Sequence, residues 1–312
     1  MMRRSSRARF DVATGVDRGT RKQQEDAIVA DFPIGENCGI AVLADGMGGH
    51  ASGDVASAIT VTEVFAQLKF RFNSLANHER EIPDFLRKAI DAANRSLRQH
   101  LTQNPNSRGM GSTLVATVFV GGDLYWGSVG DSPLYLYRDR QIRRLNEDHS
   151  MAATIDAMVA SGQLTAEVGK THPERNSLTS AIFGTDVARV DCPAQPFRVQ
   201  PGDVVLISSD GLQTLPDNEI ERVIQRNRKK PSAEIADALL ASVRDAGASD
   251  QDNTSVTVIR LLNDKPIAIS APSQTTAAAA PATQLVEATE VFDAIELGEP
   301  VDLTSKRQAS GR

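Results

Sequence analysis

The pattern of apolar and polar positions predicts three short strands at the start of the chain and two helices after them. Apolar runs bounded by turn residues predict strands over residues 10–16, 27–31 and 39–44. Apolar residues then recur at helical spacing over 52–70 and again over 83–101. The first of these helices is predicted to bury one stripe of side chains: Val55, Ile59, Thr62, Phe65 and Leu68.

The remainder of the structured part predicts a block of strands followed by further helices. Gly121-Gly122-Asp123 is a hairpin signal between the apolar runs 112–120 and 124–129. Shorter apolar runs predict the other strands, over 134–137, 141–145, 204–208 and 254–262. Helical spacing predicts helices over 151–161, 217–226 and 232–245. Because strands and helices come in separate runs, the predicted fold class is α+β, with sheets packed together and helices outside them.

Composition changes after Asn263 and sets the predicted domain limits. Residues 266–283 are rich in Ala, Pro, Thr and Ser and contain too few large apolar residues to form a core. Residues 285–297 mix apolar and acidic side chains, which allows a short docking helix but is more typical of a disordered tail. The basic start has no apolar stretch after it, so it does not resemble a secretory signal. We predict a basic tip over 1–9, a domain over 10–262 and a linker with an acidic tail over 263–312.

Charge and cysteine content argue against several classes of protein. The chain has 34 Lys and Arg against 40 Asp and Glu, for a net charge of −6, whereas a nucleic-acid-binding protein needs a basic stripe. No apolar run approaches the length of a membrane span. Cys38 and Cys192 have no zinc-site spacing, and they fit small buried side chains better than a disulfide. We expect a cytoplasmic protein without a nucleic-acid or membrane partner.

Acidic residues stand beside turns or strand ends at four places. Glu25-Asp26 precedes a predicted strand, Asp45-Gly46 and Asp210-Gly211 follow two others, and residues 250–253 precede the last. A strand end fixes the backbone while its side chain points into a cleft. Hard cations such as Mg²⁺ and Mn²⁺ take oxygen ligands, and two of them about 3.5–4 Å apart can hold a water and aim it at phosphorus.

A single Asp-Gly is usually only a turn, so the argument rests on the pair. Asp45 and Asp210 each follow about five apolar residues, as a residue at the end of a buried strand would. Two buried strands that end in the same way indicate one shared site. Gly46 would let a backbone carbonyl approach a metal ion without steric conflict.

Six motifs occur in a fixed order within residues 10–262. They are Gly19-Thr-Arg21-Lys-Gln-Gln-Glu25-Asp26, Leu43-Ala-Asp45-Gly46-Met47-Gly48-Gly49-His50, Gly111-Ser-Thr113, Val129-Gly-Asp131-Ser132, Ser209-Asp210-Gly211-Leu212 and Asp252-Asn253-Thr254-Ser255. Together they resemble the motifs of the metal-dependent protein phosphatases of the protein phosphatase 2C type, in their bacterial form. The resemblance implies a central β-sandwich of two antiparallel sheets flanked by helix pairs, with a mobile flap at about 148–186.

The resemblance also implies which residues hold the metal ions. Asp45 would bridge two Mn²⁺ or Mg²⁺ ions, and the carbonyl of Gly46 would bind one of them. Asp210 and Asp252 would be the other direct ligands. Asp131, with Asp210, resembles the position at which bacterial members hold a third and weaker ion.

Three further residues would serve the reaction itself. Glu25 and Asp26 would act mostly through metal-bound waters, with Asp26 near the nucleophile. Arg21 stands at the family's phosphate-binding position, and its planar guanidinium suits a bidentate grip on phosphate.

Three positions depart from the family pattern. Gln24 stands where many members have Asn. Pro133 follows Gly-Asp-Ser, where Arg is usual, which removes a possible cation near the third-ion position. Met47 stands where eukaryotic relatives have a His that is proposed as the general acid, so the proton for the leaving group must come from elsewhere, such as a metal-bound water.

The resemblance implies a serine/threonine protein phosphatase in which a water or hydroxide held between two metal ions attacks phosphoserine or phosphothreonine. Its partners would be phosphorylated proteins and a cognate Ser/Thr kinase or that kinase's substrates, and the chain would act as a monomer. One alternative is a pseudophosphatase that binds phosphoproteins without turnover. The chain keeps the four carboxylates of the family site, and this favours the enzyme, because a cluster of unpaired carboxylates lowers the stability of a protein that does not use it. They are Asp26, Asp45, Asp210 and Asp252. A phosphatase of small phosphate esters would use the same site and is not excluded.

Overall fold

The computed structural model describes residues 9–262 apart from 35, 37, 49–51 and 76. The predictions of a basic tip and of a linker with an acidic tail therefore lie outside the described residues, except that Arg9 already belongs to the first strand. Within the described residues, no helix is long and apolar enough to cross a membrane.

Two antiparallel sheets form the centre of the fold. The first contains, in spatial order, β1 (Arg9–Asp17), β11 (Thr254–Leu262), β10 (Val204–Ser208), β7 (Leu134–Arg138) and β8 (Gln141–Arg144). The second contains β2 (Asp26–Asp31), β3 (Cys38–Met47), β5 (Leu114–Val120), β6 (Asp123–Val129) and β9 (Phe197–Arg198). The short β4 (Gly111–Ser112) pairs with the end of β3. Thr113 separates β4 from β5, so the single strand predicted over 112–120 is two strands.

Helices cover the outer face of each sheet. The second sheet packs against α1 (Gly53–Lys69) and α3 (Ile82–Gln103), with the short α2 (Phe72–Leu75) between them in the chain. The first sheet packs against α6 (Asp217–Asn227) and α7 (Ser232–Ala246). The segment from β8 to β9 carries α4 (Ala152–Ala160) and α5 (Ala166–Lys170).

Three buried apolar layers hold these elements together. One lies between the two sheets and includes Leu43, Phe119 and Ile207. The other two lie between each sheet and its helices. The resulting order of helix, sheet, sheet and helix confirms the α+β sandwich expected from the sequence, because each sheet buries both of its faces.

The helix α1 is confirmed, but the stripe predicted to be buried is confirmed fully only at Leu68. Thr62 is exposed, and Val55, Ile59 and Phe65 are only partly buried. The side chains that face the sheet are smaller on average: Ala56, Ser57, Thr60, Val61, Val64 and Leu68. Because α1 packs on both β3 and α3, small side chains allow the close approach while bulkier ones lie at its flanks.

Candidate active site

The candidate site begins where the inner face of the sandwich changes from apolar to acidic. Asp26 on β2 pairs directly with Asp45 on β3. The next pair of residues on the same face, Ile28 and Leu43, lies two positions further into the sheet and packs in the apolar layer between the sheets. Because side chains alternate along a strand, both aspartates continue this inner face. The strand pattern therefore places two carboxyl groups side by side at one end of the sandwich.

The facing sheet brings further acidic residues to the same end. Asp210 begins a short 3₁₀ turn directly after β10, and Asp252 lies just before β11. The hydroxyl of Ser209 donates to Oδ2 of Asp26 at 2.8 Å, which joins the two sheets. The other carboxylate oxygen of Asp26, Oδ1, is buried and has no hydrogen-bond partner.

Two neighbouring cavities of about 510 and 590 Å³ form the cleft over these residues. Arg21, Asp131, Asn176, Asp210 and Asp252 line both cavities. The smaller cavity is also lined by predicted site residues, namely Glu25, Asp45 and Gly46. The structure thus brings seven of the eight predicted site residues to the cleft surface.

Asp26 is the predicted site residue that does not line either cavity. It lies deeper, between the sheets, with one carboxylate oxygen held by Ser209. The negative charges of Asp210 and Asp252 nevertheless act on its carboxyl group. Asp26 therefore belongs to the same electrostatic cluster as the residues at the surface of the cleft.

Asn253 fixes the loop that carries Arg21 and Glu25. Its side-chain amide donates to the carbonyl oxygens of Arg18 at 2.9 Å and Gln23 at 3.0 Å. Its Oδ1 accepts the backbone N–H of Glu25 at 2.7 Å. The sequence contained Asn253 within a recognised motif, but its positioning role depends on contacts with residues more than 200 positions away, and no local pattern reveals them.

Gly46 lies where no side chain fits. Its N–H donates to the carbonyl of Glu25 at 3.1 Å, and a Cβ at this position would lie 2.0 Å from the carbonyl oxygen of Gly53. At Gly53, a Cβ would lie 2.7 Å from Oε1 of Glu25 and 2.9 Å from the carbonyl oxygen of Gly46. The absence of side chains on both glycines thus allows a carboxylate oxygen and a carbonyl oxygen to approach the same point.

Burial and mutual repulsion raise the pKa of the clustered carboxyl groups. Burial, and then the charges of Asp210 and Asp26, raise the pKa of Asp45 well above its usual value. Burial, and then the charges of Asp210 and Asp148, raise the pKa of Asp131 to about 7. Burial raises the pKa of Asp26 to about 6, although the hydrogen bond from Ser209 opposes this shift.

Asp210 follows the same rule: its pKa is raised by burial and then by the charge of Asp252. A cluster of this kind holds more negative charge than the protein around it compensates, and a cation would relieve the repulsion.

Two arginines partly offset this negative charge. Arg21 forms an ion pair with Asp252, with 2.5 Å between Nη2 and Oδ2. Arg144 donates to the carbonyl oxygen of Asp131 at 2.7 Å and pairs with Asp148 at 2.8 Å. The absence of an arginine at Pro133 therefore does not leave the region of Asp131 without a cation. Arg144 supplies one from the end of β8, which sequence spacing did not indicate.

The donor set is chemically suited to a hard divalent cation. The clustered groups offer only oxygen atoms, one of them the unpartnered Oδ1 of Asp26. As they are placed, no three His, Cys, Asp or Glu side chains of the described residues form a group that encloses a metal ion. Coordination would therefore require small side-chain adjustments, such as release of Asp252 from Arg21.

Replacing Asp131 with Asn should stabilise the metal-free protein at high pH. An ordinary Asp has a pKa of 3.8, and folding raises the pKa of Asp131 to about 7, so the folded state keeps a proton that the unfolded state releases. The wild-type group therefore costs stability increasingly as pH rises between these two values. Thermal unfolding in a chelator should show D131N to be more stable than wild type at pH 8, with the difference shrinking towards pH 4. An equal gain for the exposed control D237N would contradict this account.

The chain matches a known protein family over most of its described length. Residues 18–251 match the family described as Protein phosphatase 2C. The chain is 32% identical over 244 residues to the serine/threonine phosphatase Stp of Listeria monocytogenes serovar 1/2a, a match that covers 78% of this chain and 92% of that relative.

Solved structures resemble this one over the same region. A crystal structure of the Mycobacterium tuberculosis serine/threonine phosphatase PstP/Ppp has a TM-score of 0.67 and 30% identity, and the match covers 81% of this chain and 99% of that one. The catalytic domain of PstP in complex with two manganese ions has a TM-score of 0.65 and 28% identity, with coverage of 81% and 99%.

Proposed function

The chain belongs to the protein phosphatase 2C family, and from this premise we propose that it is a metal-dependent serine/threonine protein phosphatase. The observation that carries the proposal is the cluster of partly buried carboxyl groups at one end of the sandwich, which raise one another's pKa. A structure of the related PstP contains two manganese ions, which supports the same requirement here.

Two Mn²⁺ or Mg²⁺ ions, when bound, would lower the pKa of a water and neutralise charge on the phosphate. Asp45, the carbonyl of Gly46, Asp210 and Asp252 would hold these ions. Asp131 lies beside Asp210 in the same cleft, and together they would hold a third, weaker ion. The carboxylates of these residues repel one another, and each would gain a cationic partner when the ions bind, which supports the assignment.

The chain's other site residues would position the reactants and move protons. Asp26, which lies between the sheets in the same carboxylate cluster, would accept a proton from the attacking water. Ser209 holds its carboxylate in place. Glu25, fixed through Asn253, would orient water at the edge of the cleft. Arg21 is half exposed and would exchange its ion pair with Asp252 for the substrate phosphate.

The proposed substrates are proteins that carry phosphoserine or phosphothreonine, supplied by a cognate Ser/Thr kinase. The cleft is open and polar, so it admits a phosphorylated side chain with its backbone. We further propose that residues 10–262 form the catalytic domain and that 148–186 act as a flap, since Asn176 within this segment lines the cleft. We also propose that the chain acts as a monomer in the cytoplasm, without membrane or nucleic-acid partners. Its net charge of −6 supports the absence of a nucleic-acid partner.

The direct test is release of phosphate by the Mn²⁺-loaded chain from three phosphopeptides and from p-nitrophenyl phosphate. We expect turnover of phosphothreonine and phosphoserine peptides, and much slower turnover of a matched phosphotyrosine peptide. Binding of the phosphothreonine peptide without release of phosphate would identify a pseudophosphatase. Turnover of p-nitrophenyl phosphate with no turnover of any peptide would identify a phosphatase of small esters, and either result would overturn the proposal.

A further inference from the structure

A second charged cavity, of about 500 Å³, lies away from the carboxylate cluster. Two acidic residues, Asp139 and Asp203, line it together with five cationic side chains: Arg138, Arg140, Arg228, Lys229 and Arg260. The chain as a whole carries a net charge of −6, so this excess of positive charge runs against its overall balance. We call this site the basic cavity.

The basic cavity lies at the opposite end of the first sheet from the catalytic cleft. Asp203 at the basic cavity lies just before β10 and Asp210 at the cleft lies just after it, while Asp252 at the cleft lies just before β11, which reaches Arg260 at the basic cavity. At about 3.3 Å per residue, the eight steps along β11 separate the two sites by about 25 Å. A single phosphorylated side chain cannot occupy both.

Two of the five cations have partners within the protein. Arg138 pairs with both oxygens of Asp203, at 2.8 and 2.6 Å, and lies over the ring of Phe197. Arg260 donates to Asp11 at 3.4 Å and to the carbonyl oxygen of Lys230. These two arginines form fixed walls of the cavity rather than free charges.

The other three cations have no such partner. Arg140, Arg228 and Lys229 are exposed and form no salt bridge with any residue of the described part of the chain. Burial raises the pKa of the Tyr137 hydroxyl; the charges of Arg228 and Arg140 oppose this rise, and the charge of Glu221 adds to it. Two guanidinium groups from different elements therefore act on one buried hydroxyl at the cavity.

The turn that carries Arg140 does not have the residues that a hairpin turn of this kind favours. Asp139 and Arg140 join β7 to β8 with φ values of 52° and 66°, in the left-handed region. Two-residue hairpin turns of this kind favour Asn-Gly or Asp-Gly, since glycine adopts positive φ without steric cost. Arg140 therefore occupies a position at which glycine would be less strained.

A purely structural explanation covers only part of the cluster. Arg228 and Lys229 lie at the C-terminal end of α6, where cations interact favourably with the helix dipole. This effect does not account for Arg140, which comes from a different element, or for the cavity between them.

We propose that the basic cavity binds a second phosphate group, one carried by the phosphoprotein substrate outside the segment held in the cleft. This inference rests on the proposed phosphatase function. Guanidinium groups are suited to phosphate because their N–H donors match two of its oxygens, and Arg140 and Arg228 approach from two elements. The enzyme would thus prefer proteins that carry several phosphates.

Peptides with one or two phosphates test this proposal. Each contains a phosphothreonine, and the second series adds a phosphoserine about 8, 12 or 16 residues away on either side, which brackets the separation of the sites. For at least one spacing, the wild-type chain should show a KM about fivefold lower than for the singly phosphorylated peptide, the scale of a few exposed ion pairs. The double variant R140E/R228E should lose this gain and keep its activity on the singly phosphorylated peptide.

The matched control is R226E, which changes an exposed arginine of α6 that does not line the basic cavity. The proposal is overturned if no spacing lowers KM, or if R226E removes the gain as fully as R140E/R228E does. A third test adds inorganic phosphate to the assay with the singly phosphorylated peptide. The proposal is also overturned if this phosphate changes the rate of the wild-type chain but not the rate of R140E/R228E, because the cavity would then bind a free anion. Absence of turnover of the singly phosphorylated peptide would instead contradict the phosphatase function itself.

Discussion

Replacing Asp210 with alanine should lower kcat for a phosphothreonine peptide by about 1000-fold or more. Asp210 lies in the cleft and contributes to the raised pKa of both Asp45 and Asp131, so its carboxylate is shared by the whole cluster. Its loss would weaken the hold on a divalent cation where the transition state most needs positive charge. Steady-state kinetics at saturating Mn²⁺ measure the effect.

Thermal unfolding of D210A separates lost chemistry from lost folding. Removing a buried, repelled carboxylate should leave the metal-free protein at least as stable as wild type. The control is D237A, which removes an exposed carboxylate on α7 and should keep normal turnover. Near-normal kcat for a folded D210A would contradict the metal-dependent mechanism.

Replacing Arg21 with alanine should raise KM for the phosphothreonine peptide by about tenfold and lower kcat only modestly. Arg21 is half exposed and lines the cleft, where its guanidinium group can bind a phosphate. An interaction made equally in the bound substrate and the transition state changes KM rather than kcat. The variant R21K should recover part of the loss, because it keeps the charge but not the guanidinium fork.

The opposite kinetic pattern would change the role of this residue. A large fall in kcat with little change in KM would mean that Arg21 stabilises charge that develops in the transition state. Equal defects in R21A and R21K would point to the geometry of the guanidinium group as the essential feature.

The sequence predicted the elements of the fold well because their signals are local. Two apolar runs lead to Asp45 and Asp210, each of which is followed by Gly, and the structure places both ends at the cleft. The elements without a prediction, such as α2, α5 and β9, contain two to five residues, which is too few to show a period.

The features that the sequence did not predict depend on contacts between distant segments. Asn253 fixes the backbone at Glu25, Ser209 holds Asp26, and Arg144 reaches Asp131 from another strand. Each of these side chains is an ordinary polar residue within its own segment. Its role follows only from the pairing of strands that lie far apart in the chain.

The most direct test of the central claim is the dependence of phosphatase activity on a divalent ion. The chain is stripped with a chelator, transferred to chelator-free buffer, and titrated with Mn²⁺ while phosphate release from a phosphothreonine peptide is measured. We expect no release before Mn²⁺ is added, full recovery as it binds, and little recovery in Asp45→Asn, because this change removes a carboxylate that would hold the ions. Full activity of the stripped protein, or equal recovery in the variant, would contradict the claim that the carboxylate cluster is a catalytic metal site.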